Sequence, residues 1–231
     1  MSKLRIGIDM GHTLSGEGTG SQGCGYKEQN LTRELGKIVI EMLKKEGHTI
    51  YNCTVDKSSN NAQQLIDRVN KANKQPLDLF VSIHFNACVN DEKGNGYTTG
   101  TEVLLYSTSS KAKPYAERIV KKIANVGLKN RGVKTHNAYV LKHTKAPALL
   151  IETCFIDDRD DMNVYLESPR KVAKAIVEGI LDKTITDVTE TPKNGFYRVL
   201  VGSYKDKNNA IKRQEELKSK GIEASLIYFQ E

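Results

Sequence analysis

Three apolar stretches of this chain end in a residue that can do chemistry. "LRIGIDMGH" closes at His12, "LFVSIH" at His84 and "ALLIE" at Glu152. A fourth ionisable residue, Glu28, stands where the first helical pattern opens. In open α/β sheets, ligands bind beyond the carboxyl ends of the strands, and a helix that follows a strand starts from that edge. The four residues are therefore predicted to converge at one rim. Two imidazoles and one carboxylate form a Zn²⁺ ligand set, with a fourth position left for water. Such a metal lowers the pKa of its water and polarises a substrate carbonyl. A second carboxylate, near the metal but not bound to it, is what a general base requires. Glu152 interrupts an apolar run, so partial burial is expected to raise its pKa.

Each residue has a plainer account when taken alone. His12 and His84 could be strand-end histidines bonded to loop backbone. Glu28 could be a first-turn carboxylate favoured by the helix dipole. Together they are harder to dismiss, because a buried, unpaired Glu is costly.

The elements that must position these residues alternate. Strand-like "LRIGID" is followed by "EQNLTRELGKIVIEMLKKEG", whose Leu31, Leu35, Ile38, Val39 and Met42 share a helical face, with Gly47 at the C-terminal cap. "TIYNCTVD" reads as a strand and residues 61–73 as a helix. "LDLFVSIHF" is a near-continuous apolar run, as in a strand covered on both faces. "GTEVLLYS" is a strand, residues 114–126 a helix, and "AYVLKH" and "PALLIETCF" two further strands. A last helix runs from Pro169 to about Asp182. This order predicts an α/β fold, a largely parallel twisted sheet flanked by helices, over residues 1–183. Residues 184–194 read as a polar linker, and residues 195–231 as a small strand-helix-strand unit.

The 231 residues carry a formal charge of +7, which favours polyanionic neighbours such as nucleic acid or an anionic cell wall. No basic stripe interleaved with aromatics supports nucleic acid, and no apolar run is long enough for a membrane span. The N-terminus enters a strand pattern at once, so no export signal is expected. Cys24, Cys53, Cys88 and Cys154 lack C-x-x-C spacing and are expected to be buried, reduced thiols.

"IDMGHT", "YKEQN", "SIHFNA" and "LLIETCFIDDRDDM" resemble, in order and spacing, the type-3 family of zinc-dependent N-acetylmuramoyl-L-alanine amidases. The resemblance covers roughly residues 3–182. It implies that His12, Glu28 and His84 bind zinc and that Glu152 is the catalytic carboxylate. It also implies cleavage, in peptidoglycan, of the amide between the lactyl group of N-acetylmuramic acid and L-alanine. Met10 stands where the family usually has proline. The tail resembles the first half of a sporulation-related (SPOR) repeat domain, a peptidoglycan-binding module. It is expected to bind wall, or else to pack on the catalytic domain or pair with a second copy as a homodimer. A protein of this kind, made in the cytoplasm and acting on the wall after release, suits a phage endolysin or a sporulation-associated autolysin.

Two rivals come from other classes. Cys154, two residues past Glu152, could be a thiol nucleophile with His136 or His143 as its base. A non-catalytic wall-binding protein is the other, against which Glu152 speaks. The string Gly18-Thr-Gly-Ser-Gln-Gly23 matches a dinucleotide fingerprint. It comes too late after the strand, and Glu28 opens the helix beyond it. A long mobile loop over the site is expected instead.

Overall fold

The computed structural model describes residues 3–186 and 202–226. Among them, six strands make the main sheet: β1 Arg5–Met10, β2 Thr49–Asn52, β3 Leu79–Asn86, β4 Thr101–Leu105, β5 Asn130–Thr135 and β6 Ala148–Phe155. Their spatial order is β2-β1-β3-β6-β4-β5. The first four run parallel; β4 is antiparallel to β6, and β5 pairs parallel with β4. The chain leaves β1 for β2 on one side, then returns to β3 on the other. That reversal puts the ends of β1 and β3 side by side and opens a crevice between them.

The helices are α1 Glu28–Lys45, α2 Asn61–Asn73, α3 Lys113–Ala124, α4 Tyr139–His143, α5 Arg159–Glu167, α6 Pro169–Leu181 and α7 Lys207–Ser219. Leu35 and Val39 of α1, Ile119 of α3 and Ile176 of α6 pack with Ile6, Val81 and Ile151 in the larger core. On the other face, Val69 of α2 and Val140 of α4 cover Phe80, Leu104 and Leu150. With a core on each face, the inner strands bury both sets of alternating side chains, which explains their continuous apolar runs.

The segment "AYVLKH", expected as a strand, is helical from Tyr139 to His143. Its single turn buries Val140 and Leu141 against the α2 side of the sheet. The sheet position falls instead to the preceding β5, "NRGVKT". Its polar, cationic sequence hides it, but such residues are usual on an edge strand, where they discourage further pairing. Helix α5 was also unforeseen, because Asp157 to Asp161 places four acids in five residues. Asp158 caps it by accepting hydrogen bonds from the Asp160 and Asp161 N–H groups.

The chain divides into two compact units, residues 1–187 and 188–231. The first runs past the expected end at 183: Ile185 is buried, and its N–H donates to Glu178 Oε1 at 3.2 Å. In the second, α7 agrees with the expected helix, and Leu217 is its buried residue. Of the two strands expected to flank it, 196–204 and 222–229, residues 196–201 and 227–229 lie outside the described residues, and residues 202–204 and 222–226 form no strand.

Candidate metal centre

His12 lies two residues beyond β1 and adopts φ 64°, a left-handed backbone that a histidine rarely takes. The turn is held from beneath by two buried arginines. Arg33, on α1, donates Nη1 to the Met10 carbonyl at 2.9 Å and Nη2 to the His12 carbonyl at 2.6 Å. Arg68, on α2, donates to the carbonyls of Met10 and His12 as well, and pairs with the buried carboxylate of Asp9. The Thr32 hydroxyl adds a bond to the Gly11 carbonyl at 3.0 Å. Carbonyls crowded into a tight turn thus find charged donors in place of water.

His84 lies near the end of β3, and Glu28 is the first residue of α1. His12 Nε2 is 2.9 Å from Glu28 Oε1 and 3.1 Å from His84 Nδ1, and His84 Nδ1 is 3.2 Å from Glu28 Oε1. Four ligands at metal bonds of about 2.0–2.1 Å in a tetrahedron lie about 3.3 Å apart, close to this triangle. The surroundings orient each atom. A carbonyl can only accept, so the His12 Nδ1 contact to the Gly18 oxygen, 3.2 Å, puts the proton on Nδ1 and frees Nε2 for a cation. Glu28 Oε1 accepts from Phe85 N–H at 3.0 Å, and Oε2 from Ser21 N–H at 2.9 Å. Burial alone would push the Glu28 carboxyl up, but the His12 and His84 imidazoles beside it hold it well below the usual carboxylate range. Side chains are excluded where the ligands need room. A Cβ on Gly11 would stand 2.3 Å from the His84 ring, and one on Gly20 would stand 2.7 Å from the His12 ring. The donor set and its spacing fit a zinc ion.

Glu152 is the register partner of His84 across β3 and β6. The residue is partly buried, and its Oε2 is enclosed without a hydrogen-bond partner. Burial, with the charges of Glu28 and Glu102 adding, pushes its carboxyl well above the usual range. On the far side, Glu152 pairs in register with Glu102 of β4. The structure therefore brings together all four residues singled out in the sequence.

Cys154 does not join them. A register shift after Glu152 turns it into the core, fully buried, where its thiol is pushed up rather than activated. His136 and His143 are exposed, and His143 stacks on Tyr139 with ring centroids 4.3 Å apart. Cys88 is exposed, contrary to expectation, whereas Cys24, Cys53 and Cys154 are buried and all four are free. The glycine stretch is no loose cover. Thr13 N–H donates to the Gly18 carbonyl at 3.0 Å, Glu17 N–H to Ser58 at 2.8 Å, and Glu28 N–H to Ser21 at 2.9 Å.

What the sequence did not reveal is the use of its acidic run. Asp157 Oδ2 accepts the N–H groups of Cys88, Val89 and Asn90 at 2.8, 2.8 and 2.9 Å. Asp160 Oδ2 takes those of Asn95 and Gly96 at 2.8 Å each, and Asp158 Oδ2 takes Thr99 N–H at 3.0 Å. Asp161 accepts from Gly100 and Phe155. Four carboxylates thus fasten the loop leading from His84 to β4. Asp91, Asp158 and Asp160 approach closely enough to hold a cation, but backbone N–H groups already engage each of them.

Residues 6–182 match the family model described as N-acetylmuramoyl-L-alanine amidase, and residues 168–228 match the SPOR domain. The second match begins at the start of α6, a core helix of the first unit. The chain is 31% identical over 94% of its length to an endolysin of Bacillus phage SPP1, spanning 73% of that protein. It is 29% identical over 97% of its length to a sporulation-specific N-acetylmuramoyl-L-alanine amidase of Bacillus subtilis (strain 168), spanning 84% of it. It spans 53%, about half, of an uncharacterised Clostridium perfringens protein to which it is 32% identical over 80% of its own length. Among solved structures, the catalytic domain of the CD27L endolysin targeting Clostridia Difficile superposes with a TM-score of 0.70 and 31% identity. The match covers 79% of this chain and 99% of that one.

Proposed function

Because the chain belongs to the N-acetylmuramoyl-L-alanine amidase family, we propose that His12, Glu28 and His84 hold a zinc ion and that Glu152 is the general base of amide hydrolysis. Zinc at that position would polarise the scissile carbonyl and lower the pKa of a water molecule. Glu152 Oε2 takes the proton of the attacking water and returns it to the departing amide nitrogen. The products are the muramic acid carboxylate and a peptide with a free L-alanine amine. One observation carries the reading: the enclosed, unpartnered Oε2 of Glu152 stands one strand from His84. An orphaned buried carboxylate is costly unless it has work to do.

The lining glycines and the polarised Nδ1–H of His12 support the ligand assignment, since each serves atoms of the three ligands. The SPOR match supports recognition of wall glycan by the tail, and the endolysin among its relatives supports action on the wall after release from the cell. Among the described residues no helix is long and apolar enough to cross a membrane. The test is metal analysis of the purified protein together with amidase activity on peptidoglycan before and after chelation. Full activity with about zero bound metal would refute the zinc assignment, and restoration by added zinc would uphold it.

A further inference from the structure

A row of charged side chains crosses the rim on one face of the sheet. His84 and Glu152 are paired across β3 and β6, and Glu152 and Glu102 across β6 and β4. Residues directly opposite in a ladder share a face, so the carboxyls of Glu152 and Glu102 are neighbours. Glu102 is buried, and its Oε2 accepts Arg131 Nε at 2.7 Å and Lys134 Nζ at 2.5 Å. Its Oε1 accepts Asn86 Nδ2 at 3.2 Å. Hydrogen bonding to Arg131 and Lys134 holds the Glu102 carboxyl below its usual range against the opposing effect of burial.

Two cations therefore meet one carboxylate, and one positive charge is left over. Donors are left over too. An ammonium has three N–H groups, and Lys134 Nζ uses one of them on Glu102. Arg131 Nη2 makes no hydrogen bond among the described residues, and the guanidinium lies 4.9 Å over the Phe155 ring, which fixes its plane. Both side chains reach solvent, at 29% and 44% exposure. A planar guanidinium with an unused Nη2 beside an ammonium with donors to spare is suited to a carboxylate.

We propose that Arg131 and Lys134 form a binding ledge for a carboxylate of the substrate's peptide stem, making the enzyme prefer an anionic stem to an amidated one. The inference rests on the amidase reading, and it places the stem along the row from Glu152 toward β5. If the two cations served only to neutralise Glu102, the loss of either would affect every substrate alike.

The test is steady-state kinetics of the full-length, zinc-loaded protein on two muramoyl-L-alanyl peptides. One carries free carboxylates on its second residue, and the other has them amidated. Lys134→Gln alters a half-exposed side chain and leaves the core untouched; Arg131→Gln is the second variant. Each should raise KM for the anionic peptide about tenfold, the scale of one charge-assisted hydrogen bond. The kcat should hold within about twofold, since uniform binding is what is lost, and KM for the amidated peptide should stay unchanged. Equal changes on both peptides would overturn the ledge. Failure of the unaltered protein to cleave either one would overturn the amidase reading and the ledge with it.

Discussion

Arg33 and Arg68, from different helices, both donate Nη2 to one oxygen, the carbonyl of His12. The left-handed turn that aims the His12 ring is thus gripped by two guanidinium groups. Met10 belongs to the same device. Its N–H donates to Thr54 Oγ1 at 2.9 Å, a bond that proline could not make.

Arg68→Ala should destabilise the protein by about 3–5 kcal/mol, because it strands Asp9 as a buried charge. Asp9, 1% exposed, would keep the Ser82 hydroxyl at 2.8 Å as a partner. Adding Asp9→Asn should recover part of the loss. Urea unfolding of the three forms measures this, and a change below about 1 kcal/mol for Arg68→Ala would show that the pair is not integral to the turn.

His84→Ala should lose both metal and turnover, since one corner of the ligand triangle disappears. Glu152→Gln should keep the metal and lose turnover by about 10²-fold or more. Metal content and activity measured on the same samples separate the roles. Loss of metal from Glu152→Gln would make Glu152 a ligand.

Asp161 links stability to pH. It is fully buried, and burial raises its carboxyl from 3.8 to about 6, against the N–H bonds from Phe155 and Gly100. A raised carboxyl favours the folded chain while protonated. That contribution is complete below pH about 4 and is lost as pH rises through about 6. At about 1.4 kcal/mol per pKa unit, the loss is about 3 kcal/mol. The unfolding free energy of the natural chain relative to Asp161→Asn should fall by that order between pH 4 and 6.5. A difference that stays flat across this window contradicts the shift.

A chain of residues 1–187 should fold and retain amidase activity on soluble muropeptides. Residues 1–183 should be less stable than 1–187 by about 2 kcal/mol, since Ile185, 5% exposed, is cut away. Thermal unfolding compares the two. Equal melting temperatures would mean that Ile185 adds nothing to the first unit. If the longer form bound intact walls as well as the full chain does, the tail would have no targeting role.

The convergence of His12, Glu28, His84 and Glu152 was legible because each breaks a pattern at a strand or helix end, and α/β topology sends such ends to one rim. Helices α1, α2 and α6 were legible for the same kind of reason, an apolar face at helical spacing. The supports were not. Arg33 and Arg68 sit at helix positions that read as solvent-facing, yet both fold back beneath the turn that follows β1. Strand β5 is polar because it lies at an edge, and α4 is a single apolar turn too short to show a period. The use of the acidic run from Asp157 was not legible, since its partners are backbone N–H groups about sixty to seventy residues earlier and leave no mark in side-chain chemistry.

The strand order has a consequence for the newborn chain. β6 lies between β3 and β4, so the strand synthesised last joins two portions of sheet that precede it. By the time β3 has left the ribosome, His12, Glu28 and His84 are all available. Glu152 arrives only with β6. A growing chain can therefore bring His12, Glu28 and His84 within reach of one another well before Glu152 exists, and the carboxylate that completes the rim is the last thing translation delivers to the sheet.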